Sequence, residues 1–163
     1  MKMLDVSTPK HPGAVALVDD DVFDEVSRFK WSAMPHRNGL RVRRYAKGGD
    51  GKWRIVLLHR FITEAPPGMA VDHINGDALD NRRGNLRFCT GRENSWNQRK
   101  TRGSSQFKGV SFHRKSGKWM AYIKAGEKKT YLGLYPDEKQ AALVYNYAAM
   151  RLHGEFAKLN VVT

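Results

Sequence analysis

The sequence predicts an α+β protein, and three observations carry that expectation. The last third alternates short aromatic and β-branched runs with glycine-bearing turns, the pattern of a small antiparallel sheet. One long stretch follows, with apolar residues at three- and four-residue steps, the period of a helix with one buried stripe. Upstream, two short apolar runs flank a polar loop and lead into a short helix. A chain of 163 residues has room for one ordinary domain or two small ones. Four parts are expected: an N-terminal α+β extension over 1–50, a hairpin, loop and helix over 51–100, a linker over 101–106, and a sheet with a helix over 107–163.

Taken in order, Ala14 to Val18 reads as a strand, and the acidic run Asp19 to Glu25 opens a short helix, because Asp side chains cap the free amides of a helix start. Arg41 to Tyr45 and Arg54 to Leu58 read as strand or helix-start segments. His59 to Glu64 reads as a helix that stops before Pro66-Pro67, since a residue preceding proline avoids helical geometry. Met69–Val71 and Leu86–Cys89 are apolar runs separated by the polar loop Asn75–Asn85, with a helix from Thr90 or Gly91 to near Arg99. Lys100 to Gln106 has no apolar residue and reads as a linker. Gly109–His113, Trp119–Lys124 and Thr130–Leu134 are three strands, with turns at Ser116-Gly117 and Gly126-Glu127. Pro136 and Asp137 open a helix to about His153, with Ala141, Val144, Tyr145, Ala148 and Leu152 as its buried stripe and Gly154 as its stop.

Charge narrows the partners. The balance of Lys+Arg 29 against Asp+Glu 16 gives +13, which favours a polyanion through phosphate attraction and counterion release. The excess is uneven. Residues 1–30 carry four basic against six acidic residues, and residues 101–130 carry eight against one, so the binding surface is expected in the middle and C-terminal third. Cys89 is the single cysteine, which excludes an intramolecular disulfide and a cysteine-rich zinc site. No apolar run approaches the roughly 18 residues that span a bilayer, and the N-terminus lacks the apolar core of a signal peptide. A cytoplasmic location is expected.

Cutting a phosphodiester needs a base that takes a proton from the attacking water, and compensation of charge on the phosphate and leaving oxygens. A neutral imidazole suits the first task. A hard divalent cation held by carboxylate and amide oxygens suits the second. Asp72-His73 stands where the first hairpin run ends, Asn81 and Asn85 lie in or after the loop, and Asn94 and Asn97 lie on the following helix. Neighbours on a strand point to opposite faces, so Asp72 and His73 could address one phosphate only where the strand ends, and the loop from Ile74 supplies that end. Asn94 follows Asp72 by enough chain for the hairpin to return and a helix to bring an amide oxygen to the carboxylate. An EF-hand reading of the same stretch fails, because the twelfth position from Asp72 is Arg83 where calcium loops want Glu.

The run Val71-Asp72-His73-Ile74-Asn75-Gly76-Asp77, then Asn81, Asn85-Leu86-Arg87, Glu93-Asn94 and Asn97, with Leu58-His59-Arg60 upstream, resembles the HNH homing endonucleases of phages and mobile introns. The resemblance implies a ββα-metal nuclease core. It implies His73 as general base, Asp72 and Asn94 as ligands of one Mg2+ (Mn2+ being the alternative), and Asn85 as the residue that pins the loop. The third letter of the motif is Asn, as in variants whose site holds a hard cation and is a weak zinc site. That departure leaves Asn97 as an alternative ligand to Asn94. Asn81 and Asn85 also have a plainer reading as turn residues, since Asn mimics backbone; His59 divides evenly between packing and supporting the site.

In the C-terminal part, basic and aromatic residues interleave. Lys108, His113, Arg114, Lys118, Lys124 and Lys129 are expected along one face, and alternation groups Tyr122 with Lys124 and Lys129 with Tyr131. Phe107-Lys108-Gly109-Val110, Gly117 to Ala121, Tyr131 to Tyr135, Ala141-Ala142 through Ala148-Ala149 and Ala157-Lys158-Leu159-Asn160 resemble the AP2 domain of plant transcription factors. The resemblance implies a three-stranded antiparallel sheet packed on one helix and set in the major groove of double-stranded DNA. Where that family has arginines and tryptophans facing the groove, this chain offers Lys108, Ser111, His113, Lys124, Lys129 and Tyr131. Lysine lacks the bidentate fork that reads guanine, so a target sequence does not carry over. Trp119 reads as core.

These readings combine into a metal-dependent DNA endonuclease of homing or nicking type, phage-encoded and acting in a bacterial host. Arg82, Arg83, Arg87 and Arg92 add affinity, and Arg37, Arg41, Arg43 and Arg44 could extend the surface. A monomer is expected, with a dimer or two successive cuts for a double-strand break. The alternative is a DNA-binding transcriptional regulator without enzymatic activity. An RNA-binding protein is disfavoured because no pair of exposed aromatics on adjacent strands is evident.

Overall fold

Fourteen helices and strands follow one another in a computed structural model that describes residues 1–36, 39–99, 102–126 and 128–163. Arg37, the linker residues Lys100 and Thr101, and Glu127 of the second turn lie outside the described residues. The architecture is α+β. The chain divides into two compact units, Met1–Gly91 and Arg92–Thr163.

In the first unit, β1 (Lys2–Asp5) pairs antiparallel with β2 (Val15–Val18), and α1 (Asp20–Val26) follows. The helix forms where the acidic run predicts it, but Asp19 makes no side-chain cap bond. Its carboxylate instead accepts the Arg83 amide at 2.6 Å, which ties the helix start to the end of the polar loop Asn75–Asn85. Next comes an antiparallel sheet of β3 (Ser32–His36), β4 (Gly39–Lys47) and β5 (Trp53–Leu57), with β4 central. Helix α2 (Leu58–Thr63) ends at Glu64, whose left-handed backbone (φ 49°) turns the chain ahead of Pro66. Then β6 (Ala70–His73) and β7 (Leu86–Cys89) form a hairpin in the register Asp72↔Arg87 and His73↔Leu86.

One apolar core gathers all of these elements: Leu4, Val18, Val22, Val26, Trp31, Val42, Leu58, Ile62, Val71 and Leu86. The hairpin and the first 50 residues therefore bury their apolar faces against each other. The polar loop is fastened to β2 as well, through Leu17 N to Leu79 O and Asn81 N to Leu17 O, both 2.8 Å. The sequence signals for β1 and β3 were weak because both strands are short and each fully buries a single residue.

In the second unit, α3 (Gly91–Asn97, its first residue in the first unit) precedes a sheet of β8 (Val110–His113), β9 (Lys118–Ala125) and β10 (Lys128–Tyr135), in the order β10-β9-β8. Helix α4 (Glu138–His153) starts with the Asp137 side chain accepting the Gln140 amide at 3.0 Å. The cut falls before α3 rather than at residues 101–106, because Trp96 of α3 stacks on His153 of α4 with centroids 4.4 Å apart. Phe107, Val110, Ala121 and Ile123 meet Ala141, Ala142, Tyr145 and Ala149 of α4. The buried stripe is thus rotated from the expected one: Leu152 is 48% exposed, and His153 takes the inward position, where Lys124 O receives its Nε2–H at 3.0 Å. Asn160 fastens the C-terminus, exchanging bonds with the backbone of Lys108 and with Asn146.

Candidate active site and nucleic-acid interface

His73 is the last residue of β6, and both it and Asp72 are buried. Asp72 shares its side of the hairpin with its register partner Arg87, whose Nη2 and Nε donate to Asp72 Oδ2 at 2.9 and 3.2 Å. His73 points the other way. Its ring meets His59 of α2 edge-on, centroids 5.1 Å apart, and its Nε2 lies 3.4 Å from Asn81 Oδ1. Asn81 is fully buried, and its Nδ2 donates to Ala78 O at 3.3 Å. That bond turns the amide so that oxygen faces the imidazole. The tautomer with its proton on Nε2 completes that contact.

Burial lowers the His73 pKa below its ordinary value, while the Asn81 contact and the Asp72, Asp77 and Asp80 charges pull it back up. The imidazole is therefore neutral near pH 7 and able to accept a proton. Burial, with help from His73, Arg41, Arg60 and His36, pushes His59 down to about 3.

The loop after His73 is a closed hydrogen-bond system. Asn85 Oδ1 accepts the Asn75 amide at 3.0 Å, and its Nδ2 donates to Asn75 Oδ1 and Asp80 O at 3.1 and 2.8 Å. Asp80 is gripped in bidentate fashion by Arg82, both contacts 2.7 Å, and this grip holds the Asp80 carboxyl below its usual range. Arg83 pairs with Asp21. Arg82, Arg83 and Arg87 thus each have a carboxylate partner inside the unit. Arg87 keeps only 12% side-chain exposure, whereas Arg82 and Arg83 keep 41% and 53%.

In the second unit, Asn94 is half-buried on α3 and Asn97 is buried. On the sheet, Ala121 and Ile123 face α4, so Lys118, Met120, Tyr122 and Lys124 face away from it. Register places Lys129 opposite Lys124, Tyr131 opposite Tyr122 and His113 opposite Lys118 on that open face. Lys129 Nζ sits 3.5 Å above the Tyr122 ring. Tyr122 and Tyr131 are therefore aromatic neighbours on adjacent strands, Tyr131 exposed and Tyr122 half-buried. Arg114 is exposed in the turn, and His113 Nδ1 contacts Ser116 Oγ at 2.9 Å. Lys108 departs from the expected row: its ammonium donates to Trp96 O below α3, and burial, with the Lys158 charge, lowers its pKa to about 8.

A family model described as HNH endonuclease matches residues 56–96. An uncharacterized HNH endonuclease of Acanthamoeba polyphaga mimivirus is 34% identical over 160 residues, which cover 92% of this chain and 76% of the viral protein. The chain belongs to the HNH endonuclease family.

Beside this HNH match stands a second similarity. An AP2-like ethylene-responsive transcription factor of Arabidopsis thaliana is 42% identical over 65 residues, 39% of this chain and 11% of the plant protein. APETALA2-like protein 2 of Oryza sativa subsp. indica is 46% identical over 61 residues, 36% of this chain and 14% of that protein. The HNH chain carries an AP2-like domain, and it spans only a small part of those plant proteins.

Within the HNH match, α2 contributes His59, the hairpin contributes Asp72 and His73, the loop contributes Asn81 and Asn85, and α3 contributes Asn94. Asp72 belongs to the first unit and Asn94 to the second. Among the described residues, no three or more His, Cys, Asp or Glu side chains gather as a metal site. The donor set fits a hard cation all the same. Carboxylate and amide oxygens are its preferred ligands, and a carboxylate has about four lone-pair sites, so Arg87 at Oδ2 does not exhaust them. Asn81, read from the sequence as a turn residue, lies against His73, and its eight-residue spacing behind His73 was the available signal of that contact. Arg44, one of the possible surface arginines, turns inward, with its guanidinium over the Phe29 ring at 4.0 Å. Arg41 and Arg43 lie on the other face of β4 with Tyr45, opposite Ile55 of β5 and beside Trp53, which is 68% exposed.

Proposed function

We propose that this HNH endonuclease hydrolyses DNA in a divalent-metal-dependent reaction, as a nicking or homing enzyme, with the AP2-like sheet holding the duplex. The observation that carries the reading is His73: a buried, neutral imidazole at a strand end, held by Asn81 at its Nε2. In this reading the His73 imidazole takes the proton from the attacking water, and Asn81 and His59 hold the ring against rotation. Asp72 with Asn94 would hold Mg2+ or Mn2+, which supplies charge compensation for the phosphate oxygens; Asn97 is the alternative second ligand. Asn85 keeps the loop closed and so fixes where His73 stands. Lys118, Lys124, Lys129, Tyr131, His113 and Arg114 contact the duplex, with Arg82 and Arg83 at the hydrolytic end. Arg87 serves Asp72 instead, and Lys108 serves α3. One base and one ion make one cut, so a monomer nicks, and a double-strand break needs a dimer or a second event. The viral relative supports a virus-encoded enzyme acting inside the host cell; among the described residues no helix is long and apolar enough to cross a membrane.

Supercoiled plasmid incubated with Mg2+ or with EDTA tests this. Nicked circles are expected only with metal, and Asp72→Ala abolishes them. A retarded DNA band with no scission over Mg2+, Mn2+ and varied sequences would instead make the protein a DNA-binding regulator.

A further inference from the structure

Strand β8 stops pairing at Val110↔Ala121, and only Gly109 O continues the ladder by accepting the Tyr122 amide at 2.8 Å. The Ile123–Ala125 stretch of β9 is thus left without a β8 partner. Beside it, wholly within the second unit, lies a cavity of about 550 Å3, within the range of small-molecule sites. Four cationic side chains line it, Arg92, Arg102, Lys108 and Lys124, and among the described residues no acidic one does. None of the four has an ion pair among the described residues. Aromatic rings make up much of the remaining wall: Trp96, stacked on His153, together with Tyr122 and Tyr145.

Two buried polar atoms at this cavity lack a partner among the described residues. Tyr145 is 2% exposed and His153 5%, yet Tyr145 Oη and His153 Nδ1 make no hydrogen bond there. Leaving such groups unsatisfied costs about 1–3 kcal/mol each, and native structures keep them where something else completes the bond. Excess positive charge calls for an anion, flat rings call for a flat heterocycle, and the two orphan groups call for oxygen or nitrogen atoms between them.

We propose that this cavity binds a single phosphorylated nucleoside, with its phosphate on Arg92, Arg102 and Lys108 and its base between the Trp96 and Tyr122 walls, within reach of Tyr145 Oη. The site is distinct in its residues from the proposed hydrolytic centre, and its occupant is a free mononucleotide or an unpaired terminal nucleotide of DNA.

Titration calorimetry on the full chain in EDTA, where hydrolysis plays no part, tests the proposal. Deoxyadenosine monophosphate should bind with one equivalent. Deoxyadenosine and inorganic phosphate should each bind at least about tenfold more weakly. Tyr145→Phe, which removes one hydroxyl, should weaken the nucleotide several-fold, and Arg102→Gln about tenfold. Leu143→Ala, on the exposed side of α4, should change nothing, and thermal melts of each variant confirm folding. The mononucleotide displacing a duplex with a one-nucleotide phosphorylated overhang, but not a blunt duplex, identifies a DNA end as the occupant. Displacement of neither identifies the free nucleotide; both results uphold the site. No binding at millimolar nucleotide, or binding untouched by Tyr145→Phe and Arg102→Gln in folded variants, overturns it.

Discussion

His59 shows what burial does to a single side chain. Its pKa stands near 3 in the folded protein against an ordinary 6.5, chiefly through desolvation. Between those values the unfolded chain binds a proton that the folded one refuses. The stability this group contributes is full above pH 6.5 and is lost as pH falls toward 3, by on the order of 5 kcal/mol in total. Urea melts at pH 7 and pH 4 check this: His59→Gln should flatten that part of the pH slope, and an unchanged slope would contradict it. Arg87 poses a different question at the same scale. Both members of its pair with Asp72 are almost inaccessible, so Arg87→Ala removes charge-assisted bonds from a buried carboxylate and should cost roughly 1–3 kcal/mol. It should leave the salt dependence of DNA binding unaltered. A loss of salt dependence without loss of stability would return Arg87 to the phosphate-contacting set where sequence reasoning put it.

At the scale of elements, the legible parts were those with strong local chemistry. The α4 start was readable because Asp137 caps it, and Asp137→Ala should lower stability by about 1 kcal/mol in a thermal melt. The hairpin and its loop were readable because two apolar runs flank a string of Asn, Asp and Gly. What sequence could not supply was side-chain direction. Arg41, Arg43 and Arg44 look equivalent in a row, yet one of the three turns inward to aromatic rings, because strand alternation sends neighbours to opposite faces. Lys108 looks like the start of a basic row until Trp96 O takes its ammonium. Asp19 looks like a helix cap until Arg83, 64 residues on, claims its carboxylate. Each miss is a long-range contact overriding a local preference. Gly109 combines both kinds of information: its φ of +74° is local, but a Cβ there would lie 1.9 Å from the Tyr145 ring. Gly109→Ala should therefore destabilise by at least ~2 kcal/mol, measured by chemical denaturation.

For the whole molecule, the two units divide the labour. The first carries the imidazole and its loop on a core shared with the N-terminal strands; the second carries α3 and the AP2-like sheet with its exposed lysines. Removing the Lys118 charge should lower DNA affinity and reduce the slope of log K against log salt by about 0.9, as measured by titrations at several salt concentrations. Strand scission by this protein is expected to depend on the His73 imidazole, and DNA binding is not. Single-turnover cleavage of end-labelled DNA with Mg2+, run beside a gel shift in EDTA, tests it most directly. For His73→Ala the account predicts a cleavage rate lower by about 10²–10⁴ with the affinity for DNA unchanged. A variant that cuts at the parental rate would contradict it.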